Sequence, residues 1–269
     1  MGDLFQFSPE EMYTFFAVLV RVSVLIAVLP IFGDKVIPTP VKVLLSLAVT
    51  LAIFPGLIRQ GSVRAGDAVI WASSTWGIIR TIGQEALVAL VLGYTAKLVF
   101  DAIQIGANLV SNMMGFSMAS VYDPHHETQT TVAAEIQVAI AMLAFLALDG
   151  HHLLLRGALD SFRFCGIGEA GVNALMQTRM IEMTGTVLRF GFQLGAPITL
   201  VMFAVNVAFG VFSKTMPQMN ILVLSLGISA FAGMFVLVLS APEFQTVASN
   251  IMSRTEDWMQ GMLIVMAGR

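Results

Sequence analysis

The sequence predicts an all-α, polytopic membrane protein built from long, kinked helical hairpins. Hydrophobic residues make up 57% of the chain and charged residues only 12%, whereas a soluble domain carries about 25% charged residues. The mean hydropathy is +0.84. The long apolar runs lack the alternation of apolar and polar residues that membrane strands show. At 269 residues, the chain has room for roughly six or seven apolar helices of about 20 residues each.

Charge and cysteine usage exclude several classes of function. The formal net charge is −3 and no basic run occurs, so we expect no nucleic-acid partner. The single cysteine, Cys165, excludes an internal disulfide and any CxxC motif, and we interpret it as a small buried hydrophobe. The acidic N-terminus, MGDLFQFSPEE, lacks the positive region of a signal peptide, so we interpret it as mature sequence.

The first predicted helix begins at the SPEE motif of residues 8–11. Ser8 can cap the helix, the proline suits its first position, and Glu11 completes a capping box. The apolar segment that follows, from about Met12 to Phe32, contains Arg21 near its middle. Because a charge in the bilayer core costs several kcal/mol, we expect Arg21 to face protein, water or a partner.

Two further apolar segments precede the centre of the chain. One runs from Val41 to Ile58. The next, from about Ala68 to Phe100, is too long for one simple span, and we predict two helices or one long helix that extends beyond the bilayer. Charges interrupt several apolar segments, and we expect them to be buried in the bundle or covered by unlike subunits of an assembly. These charges are Arg21, Arg80, Glu85 and Arg189.

The stretch from Asp101 to Pro124 reads DAIQIGANLVSNMMGFSMASVYDP and combines two features that are unusual in so apolar a chain. It begins as a helix with one polar face. From Met113 no clean period remains, and a mixture of Gly, Ser and Met follows that bends easily. The polar face either satisfies itself by hydrogen bonds between packed helices or lines a hydrated path. It consists of Asp101, Gln104, Asn108, Ser111 and Asn112.

Beyond this centre, helices are predicted from Val132 to Leu148 and, after a short amphipathic helix, from Phe190 to Ser213 and from Met219 to Ala241. The last two form a helical hairpin, and residues 166–171 are a candidate hinge before it.

Two local signals concern the hairpin and the last helix. Gly191 and Gly195 have the GxxxG spacing that permits close helix contact, or else they flank a kink at Pro197. Thr255 is predicted to cap a last helix that continues to about Ala267.

Candidate metal ligands occur in two clusters, Asp123/His125/His126/Glu127 and Asp149/His151/His152. Their types suit zinc, but both lie at predicted helix ends, and adjacent histidines on a helix point about 100° apart. We therefore expect neither metal nor other cofactor. Ser117 superficially resembles an intramembrane protease serine, yet no histidine partner follows it. With no catalytic triad and no phosphate-binding Gly-rich loop, we predict that the chain is not an enzyme.

Several stretches together resemble the FliR family of flagellar export-gate proteins, whose injectisome counterparts are similar. They are RVSVLIAVLPIFGDKVIPTPVKVLLSLAVTLAIFP (residues 21–55), residues 93–124, LDGHHLLLRGALDSF (148–162), and residues 196–227, which include the turn KTMPQMN (214–220). Each motif alone is modest, but their order and spacing are specific. The resemblance covers most of the chain between residues 21 and 239.

The resemblance implies a non-enzymatic core subunit of the type III protein export gate. In that family a single FliR copy joins FliP and FliQ subunits around a narrow conduit for unfolded substrate proteins, with FlhB and FlhA nearby. Residues 1–168 are then FliP-like and residues 169–269 FliQ-like. The expected location is the bacterial inner membrane at the flagellar basal body. Such assemblies lie largely above the membrane plane, which would explain why Lys35, Lys42, Arg59 and Arg64 give no consistent positive-inside topology.

The same resemblance places a plug loop at residues 106–122. Its sealing residues would be Gly106, Met113, Met114, Gly115, Phe116, Ser117 and Met118. The sequence departs from the family pattern at three positions, because Asn108 stands where an acidic residue is usual, Ser111 where Gly is usual and Met113 where Gln is usual. These departures leave the role of each single side chain open.

Two other classes of function remain open. A small-molecule or ion transporter would use the polar face and a helix broken at Pro197 as a midplane site. A membrane scaffold would have no conduit of its own. A transporter should be stable alone or as a symmetric oligomer, whereas a gate subunit should purify with unlike partners.

Overall fold

The computed structural model describes residues 8–30, 32–33, 37–116, 132–216, 218 and 220–268. Across these ranges the regular secondary structure is helical and contains no strand, which confirms the predicted all-α class. Besides a 3₁₀ turn at Ala65–Asp67, the helices are α1 (Pro9–Val28), α2 (Thr39–Arg59), α3 (Ala68–Trp71), α4 (Thr75–Met113), α5 (Val132–Ala147), α6 (Gly150–Phe164), α7 (Ala174–Thr215), α8 (Ile221–Leu239) and α9 (Ala241–Met266).

Local sequence determines where the first two helices begin and end. The Ser8 hydroxyl accepts from the Glu11 amide at 3.2 Å, and the Glu11 carboxylate accepts from the Ser8 amide at 2.9 Å, which is the predicted capping box. Helix α2 has a proline in its first turn and ends before Gly61, whose φ of +70° suits glycine. The starts of α1 and α2 and the end of α2 therefore depend only on residues that are close in the sequence.

The long apolar regions form long helices. Helix α4 has 39 residues and α7 has 42, so at 1.5 Å per residue they extend about 59 and 63 Å. That is about twice the roughly 30 Å of bilayer hydrocarbon. The region after residue 68 is thus one long helix preceded by a short one.

Four helices in the described chain, α1, α2, α4 and α7, are long and apolar enough to cross a membrane. A fifth span results if α5 and α6, bent by 66° at their junction, count as one broken span. The number is lower than the six or seven that the length allows, because α4 and α7 each use the residues of two spans.

The chain divides into two compact units that are each made of separate segments. The first comprises Met1–Lys97, His151–Met183 and Arg254–Arg269, and the second Leu98–Gly150 and Thr184–Ser253. Helices α4, α7 and α9 contribute residues to both. This division reflects compactness, whereas the predicted boundary at 168/169 reflects resemblance, so the latter stays a prediction.

Each unit has its own apolar core. In the first, α1 and α2 pack with α6, and the Phe15 and Phe54 rings meet edge to face with centroids 5.3 Å apart. The buried residues of this core are Val18, Val22, Ile26, Phe54, Leu57, Val63 and Phe162. In the second unit the buried cluster consists of Val110, Met114, Ile198 and Met202.

The predicted start of the last helix at Thr255 is wrong. Thr255 is buried inside α9, which begins fourteen residues earlier at Ala241 with a proline in its first turn. The buried face of α9 includes Ile251, Thr255 and Met259, which recur every four residues. Thr255 therefore occupies a position on the buried helical stripe, and its polar side chain is no sign of a helix end.

Candidate functional site

The candidate site lies at the C-terminal end of α4. The predicted polar face occupies the last four turns of this helix, where Asp101, Gln104 and Asn108 are half-buried, Ser111 is buried and Asn112 is exposed. On the other side, Ile103 and Val110 are buried. The helical period that the sequence shows up to Met113 is thus the period of a real helix with one apolar and one more polar side.

Helix α4 ends in a Schellman motif centred on Gly115. The Phe116 amide donates to the Ser111 carbonyl at 3.2 Å, and the Gly115 amide donates to the Asn112 carbonyl at 3.1 Å. Gly115 has φ +83°, a left-handed conformation that glycine adopts without strain. Gly115 is therefore a helix terminator with a defined conformation, and it fixes the direction in which the chain leaves α4.

The methionines at this end have different surroundings. Met114 is 1% exposed and packs in the core of the second unit with Val110, Ile198 and Met202. Met113 and Phe116 are half-buried at the edge of that cluster. Ser117 and Met118, and the rest of the predicted plug loop to residue 122, lie outside the described residues.

A side-chain amide of the hairpin holds the start of this segment. Nδ2 of Asn206, on α7, donates to the Met113 carbonyl at 3.3 Å. In the sequence Asn206 is one of four polar residues, with Gln193, Thr199 and Ser213, in an apolar run of 24 residues without a charge. The polar side chain of Asn206 within that run was the one sequence signal that could have marked it as a functional residue. The carbonyl to which it donates could not be inferred from the sequence.

Helices α4 and α7 cross at three glycines. A Cβ atom on Gly106 would lie 2.9 Å from the Gly191 carbonyl oxygen, and one on Gly195 would lie 3.2 Å from the Gly106 carbonyl oxygen. The two backbones therefore touch, and of the two interpretations of GxxxG, close helix contact is confirmed. Gly106 lies inside α4 at this crossing, seven residues before the helix ends.

A cavity of about 570 Å³ lies in the second unit beside this crossing. Gly106 and Pro197 contribute to its wall, together with the side chains of Gln137, Gln193 and Thr246. Helix α7 continues through Pro197 without interruption, so the broken helix that a midplane transport site would use is not formed there.

A buried ion pair lies in the first unit. Nε of Arg21 donates to Oε2 of Glu85 at 2.7 Å, with 2% and 0% of the side chains exposed. The guanidinium also donates to the Ser161 hydroxyl at 3.2 Å and to the Cys165 carbonyl at 3.0 Å. It lies 4.2 Å from the centroid of the Phe162 ring. Arg21 is therefore fully engaged within its own chain.

The four charged residues that interrupt apolar segments differ in their surroundings. Arg21 and Glu85 satisfy each other and require no cover from another subunit, whereas Arg80 and Arg189 are exposed. Of the two expected arrangements, burial within the bundle thus holds for Arg21 and Glu85, and cover by unlike subunits stays a prediction for Arg80 and Arg189. The sequence could not pair them, because 64 residues separate the two side chains.

The loop of residues 166–171 is held by hydrogen bonds inside the first unit. Gly168, at φ +76°, donates its amide to Oε1 of Glu85 at 3.0 Å. Nε2 of Gln84 donates to the Ala170 carbonyl at 2.7 Å. These bonds anchor the loop to α4, and its role as a hinge stays a prediction.

Cys165 and the two described histidines are further candidates for reactive groups. Cys165 is fully buried, and burial raises the pKa of its thiol, so little thiolate forms. The His151 and His152 rings lie with centroids 4.2 Å apart, although adjacent positions on a helix point about 100° apart. With the neighbouring Asp149 they offer three possible ligand atoms within 4.8 Å of one another. The cluster of residues 123–127 lies outside the described residues.

Comparison with known proteins gives matches over most of the chain. The family model described as bacterial export proteins, family 1, matches residues 12–255. The flagellar biosynthetic protein FliR of Bacillus subtilis strain 168 is 25% identical over 252 residues, which cover 93% of this chain and 94% of the relative. FliR of Escherichia coli K12 is 28% identical over 250 residues, with 90% and 91% covered. FliR of Pectobacterium carotovorum is 26% identical over 249 residues, with 93% and 92% covered.

Proposed function

Because this chain belongs to family 1 of the bacterial export proteins, we propose that it is a non-enzymatic core subunit of the flagellar type III protein export gate. The observation that carries the proposal is the match to flagellar relatives over about nine tenths of both chains. Its role is to line and to seal a conduit for unfolded export substrates. Lipid surrounds part of the chain, and neither a metal nor another cofactor takes part.

The end of α4 is the proposed seal. Met113 and Phe116 are half-buried where α4 stops, and Ser117 and Met118 follow them in the sequence. Unbranched thioether side chains repack around varied shapes, and apolar constrictions exclude water and ions. A Met-rich constriction can therefore close on itself at rest and adapt to the side chains of a passing polypeptide.

The lengths and exposed surfaces of the helices support the proposal that other subunits cover part of this chain. Helices α4 and α7 are about twice as long as the hydrocarbon is thick, and only 22% of the apolar window of α2 and of α7 is buried within the chain. Lipid can cover only part of such surfaces. FliP and FliQ subunits are the proposed cover for the remainder, with FlhB and FlhA nearby, in the bacterial inner membrane at the flagellar basal body.

The proposed internal organisation remains the one that resemblance implies. Residues 1–168 are FliP-like, and residues 169–269 are FliQ-like. The second part contains the hairpin of α7 and α8, helices that end at Thr215 and begin at Ile221, and a hairpin is the form in which a FliQ-like part would pack beside further copies of FliQ.

Deletion of residues 113–118 in the assembled complex tests the proposal. We expect the resting influx of sodium across the membrane to rise, while co-purification of the other subunits is unchanged. Substitution of Met113 and Met114 by Ala should have the same effect more weakly. An assembled deletion variant that is as impermeable as the wild type would show that these residues only pack.

A second candidate function, transport of a small molecule or ion, has the cavity beside Pro197 in its favour. The continuity of α7 weighs against it, since midplane sites of transporters use interrupted helices. Purification discriminates between the two functions. A monodisperse, active homo-oligomer made without unlike subunits would support the transporter and contradict the gate.

A further inference from the structure

We propose that Met114 is a positioning residue rather than part of the seal, and that its side chain, inserted into a notch at Gly233 of α8, sets where Met113 and Phe116 lie. This inference rests on the proposed sealing function of the α4 end. We call the contact between Met114 and Gly233 the latch. In this arrangement the Met114 side chain packs against the α7–α8 hairpin, and the side chains of Met113 and Phe116 face the conduit.

The latch is visible in the space around Gly233. A Cβ atom on Gly233 would lie 2.7 Å from Sδ and 2.8 Å from Cε of Met114, distances that real Cβ atoms do not show. Met114 is 1% exposed, so its thioether fills the space that a side chain at position 233 would need. Gly227, on the same helix, has nothing within 4 Å of such an atom. A side chain at position 233 would therefore force the Met114 side chain to shift, whereas one at position 227 would meet open space.

Two neighbours of Met114 are tied to the same hairpin by other means. The Met113 carbonyl accepts from Nδ2 of Asn206 at 3.3 Å. A Cβ atom on Gly115 would lie 3.0 Å from Cδ2 of Leu226, on α8. Three successive residues of the α4 end thus contact the hairpin by a hydrogen bond, a buried side chain and a close backbone approach.

The order of these contacts decides which side chains are free for sealing. Residues 113 and 115 contact the hairpin through their backbone, and the Met114 side chain is directed into the core of the second unit. The side chains of Met113 and Phe116 remain half-buried. A displacement of Met114 would move the carbonyl bound by Asn206 and the Gly115 turn together, because they are adjacent in the chain. The position of α8 is in this way transmitted to the sealing side chains.

Gly233→Ala in the assembled complex, with Gly227→Ala as the matched control on the same helix, tests the latch. We expect Gly233→Ala to raise resting sodium influx to a level between the wild type and the deletion of residues 113–118, and Gly227→Ala to leave it unchanged. Because both substitutions disrupt the same contact, the double variant Gly233→Ala/Met114→Ala should leak no more than the leakier of the two single variants. If Gly233 acted independently of Met114, the two leaks would add.

The outcomes separate the latch from the proposed function. If the deletion raises influx but Gly233→Ala behaves like Gly227→Ala, the latch is wrong and the seal stands. If the deletion leaves the complex impermeable, the sealing function itself is wrong. Should Gly233→Ala prevent assembly, Met114→Ala and Met113→Ala decide the question. A positioning role requires the larger leak from Met114→Ala, and an equal or larger leak from Met113→Ala would overturn it.

Discussion

Arg21 and Glu85 form a buried ion pair that joins α1 to α4, with 2.7 Å between Nε and Oε2. Each end of the pair has further partners. Arg21 contacts Ser161, Cys165 and Gly166, while the second carboxylate oxygen of Glu85 accepts from the Gly168 amide. One pair therefore connects two helices with the loop that follows α6. Each guanidinium nitrogen of Arg21 and each carboxylate oxygen of Glu85 has a hydrogen-bond partner. Buried charges are tolerated under this condition.

Loss of one partner of this pair should destabilise the first unit strongly. Arg21→Leu leaves Glu85 buried without its cation, and we expect a cost of about 3–5 kcal/mol in unfolding free energy. Arg21→Leu/Glu85→Leu should recover part of that loss, since no buried charge then remains. Tryptophan fluorescence during thermal unfolding of the purified complex measures the difference.

The matched control is Arg163→Ala, which removes an exposed pair of 3.5 Å with Asp160. Such surface pairs contribute at most about 1 kcal/mol. An Arg21→Leu variant that is no less stable than Arg163→Ala would contradict the structural importance of the buried pair.

Substitution at the glycine crossing should destabilise the second unit. A Cβ atom on Gly191 would lie 2.7 Å from Cγ2 of Ile105 and 3.0 Å from the Ala102 carbonyl oxygen. We expect Gly191→Ala to cost about 1–3 kcal/mol, as overpacking commonly does. Gly185→Ala, also on α7 but with nothing within 4 Å, should be neutral or stabilising by up to about 1 kcal/mol. Equal melting temperatures for the two variants would show that α4 and α7 do not touch here.

The Cys165 thiol should react slowly with N-ethylmaleimide in the folded protein. It is fully buried, and because burial raises its pKa, the thiolate appears only at higher pH than in an exposed cysteine. A chain carrying Cys165→Ser and Ser73→Cys places the thiol at an exposed position and should react fast. The time course of labelling by mass spectrometry gives the comparison. Equal rates in the two folded chains would refute the burial of Cys165.

Metal should not be required, even though Asp149, His151 and His152 lie close together. The three residues are exposed or only half-buried, and exposed clusters of this kind commonly hold no ion. Replacing His151 and His152 by Asn should leave the metal content of the purified complex and its assembly unchanged. Elemental analysis checks this expectation, and stoichiometric zinc in the wild type that is lost in the variant would overturn it.

Features that depend on residues close in sequence were predictable. The capping box of Ser8 and Glu11 joins residues three apart. The end of α4 at Met113 follows from the loss of helical period and from Gly115. The GxxxG pattern of Gly191 and Gly195 marked a close contact, although only the structure names Gly106 as the opposing residue.

Features that depend on distant residues were not predictable from one sequence. Arg21 and Glu85 are 64 residues apart, and Asn206 lies 93 residues from Met113. Nothing local specifies either partner. Thr255 was mistaken for a cap because a polar residue on the buried stripe of α9 looks, in sequence alone, like the boundary of a new helix. In the same way, Met113 and Met114 could be grouped by residue type, but the sequence could not show that Met114 is buried and Met113 only half-buried.

The first unit is built from segments that lie far apart in the sequence, and this has a consequence for biosynthesis. Its segments include Met1–Lys97 and Arg254–Arg269, and the late segment is bound to the middle of the chain where Asn173 Nδ2 and the Gly171 amide donate to the Val265 and Met266 carbonyls at 2.8 and 3.0 Å. The ribosome must therefore synthesise the 169 residues from 98 to 266 after Lys97 before these bonds can form and the unit can close. Until then, part of the packing surface of α1 and α2 is not covered by the rest of the first unit. Early folding must therefore depend on insertion factors, lipid or neighbouring subunits rather than on the chain itself.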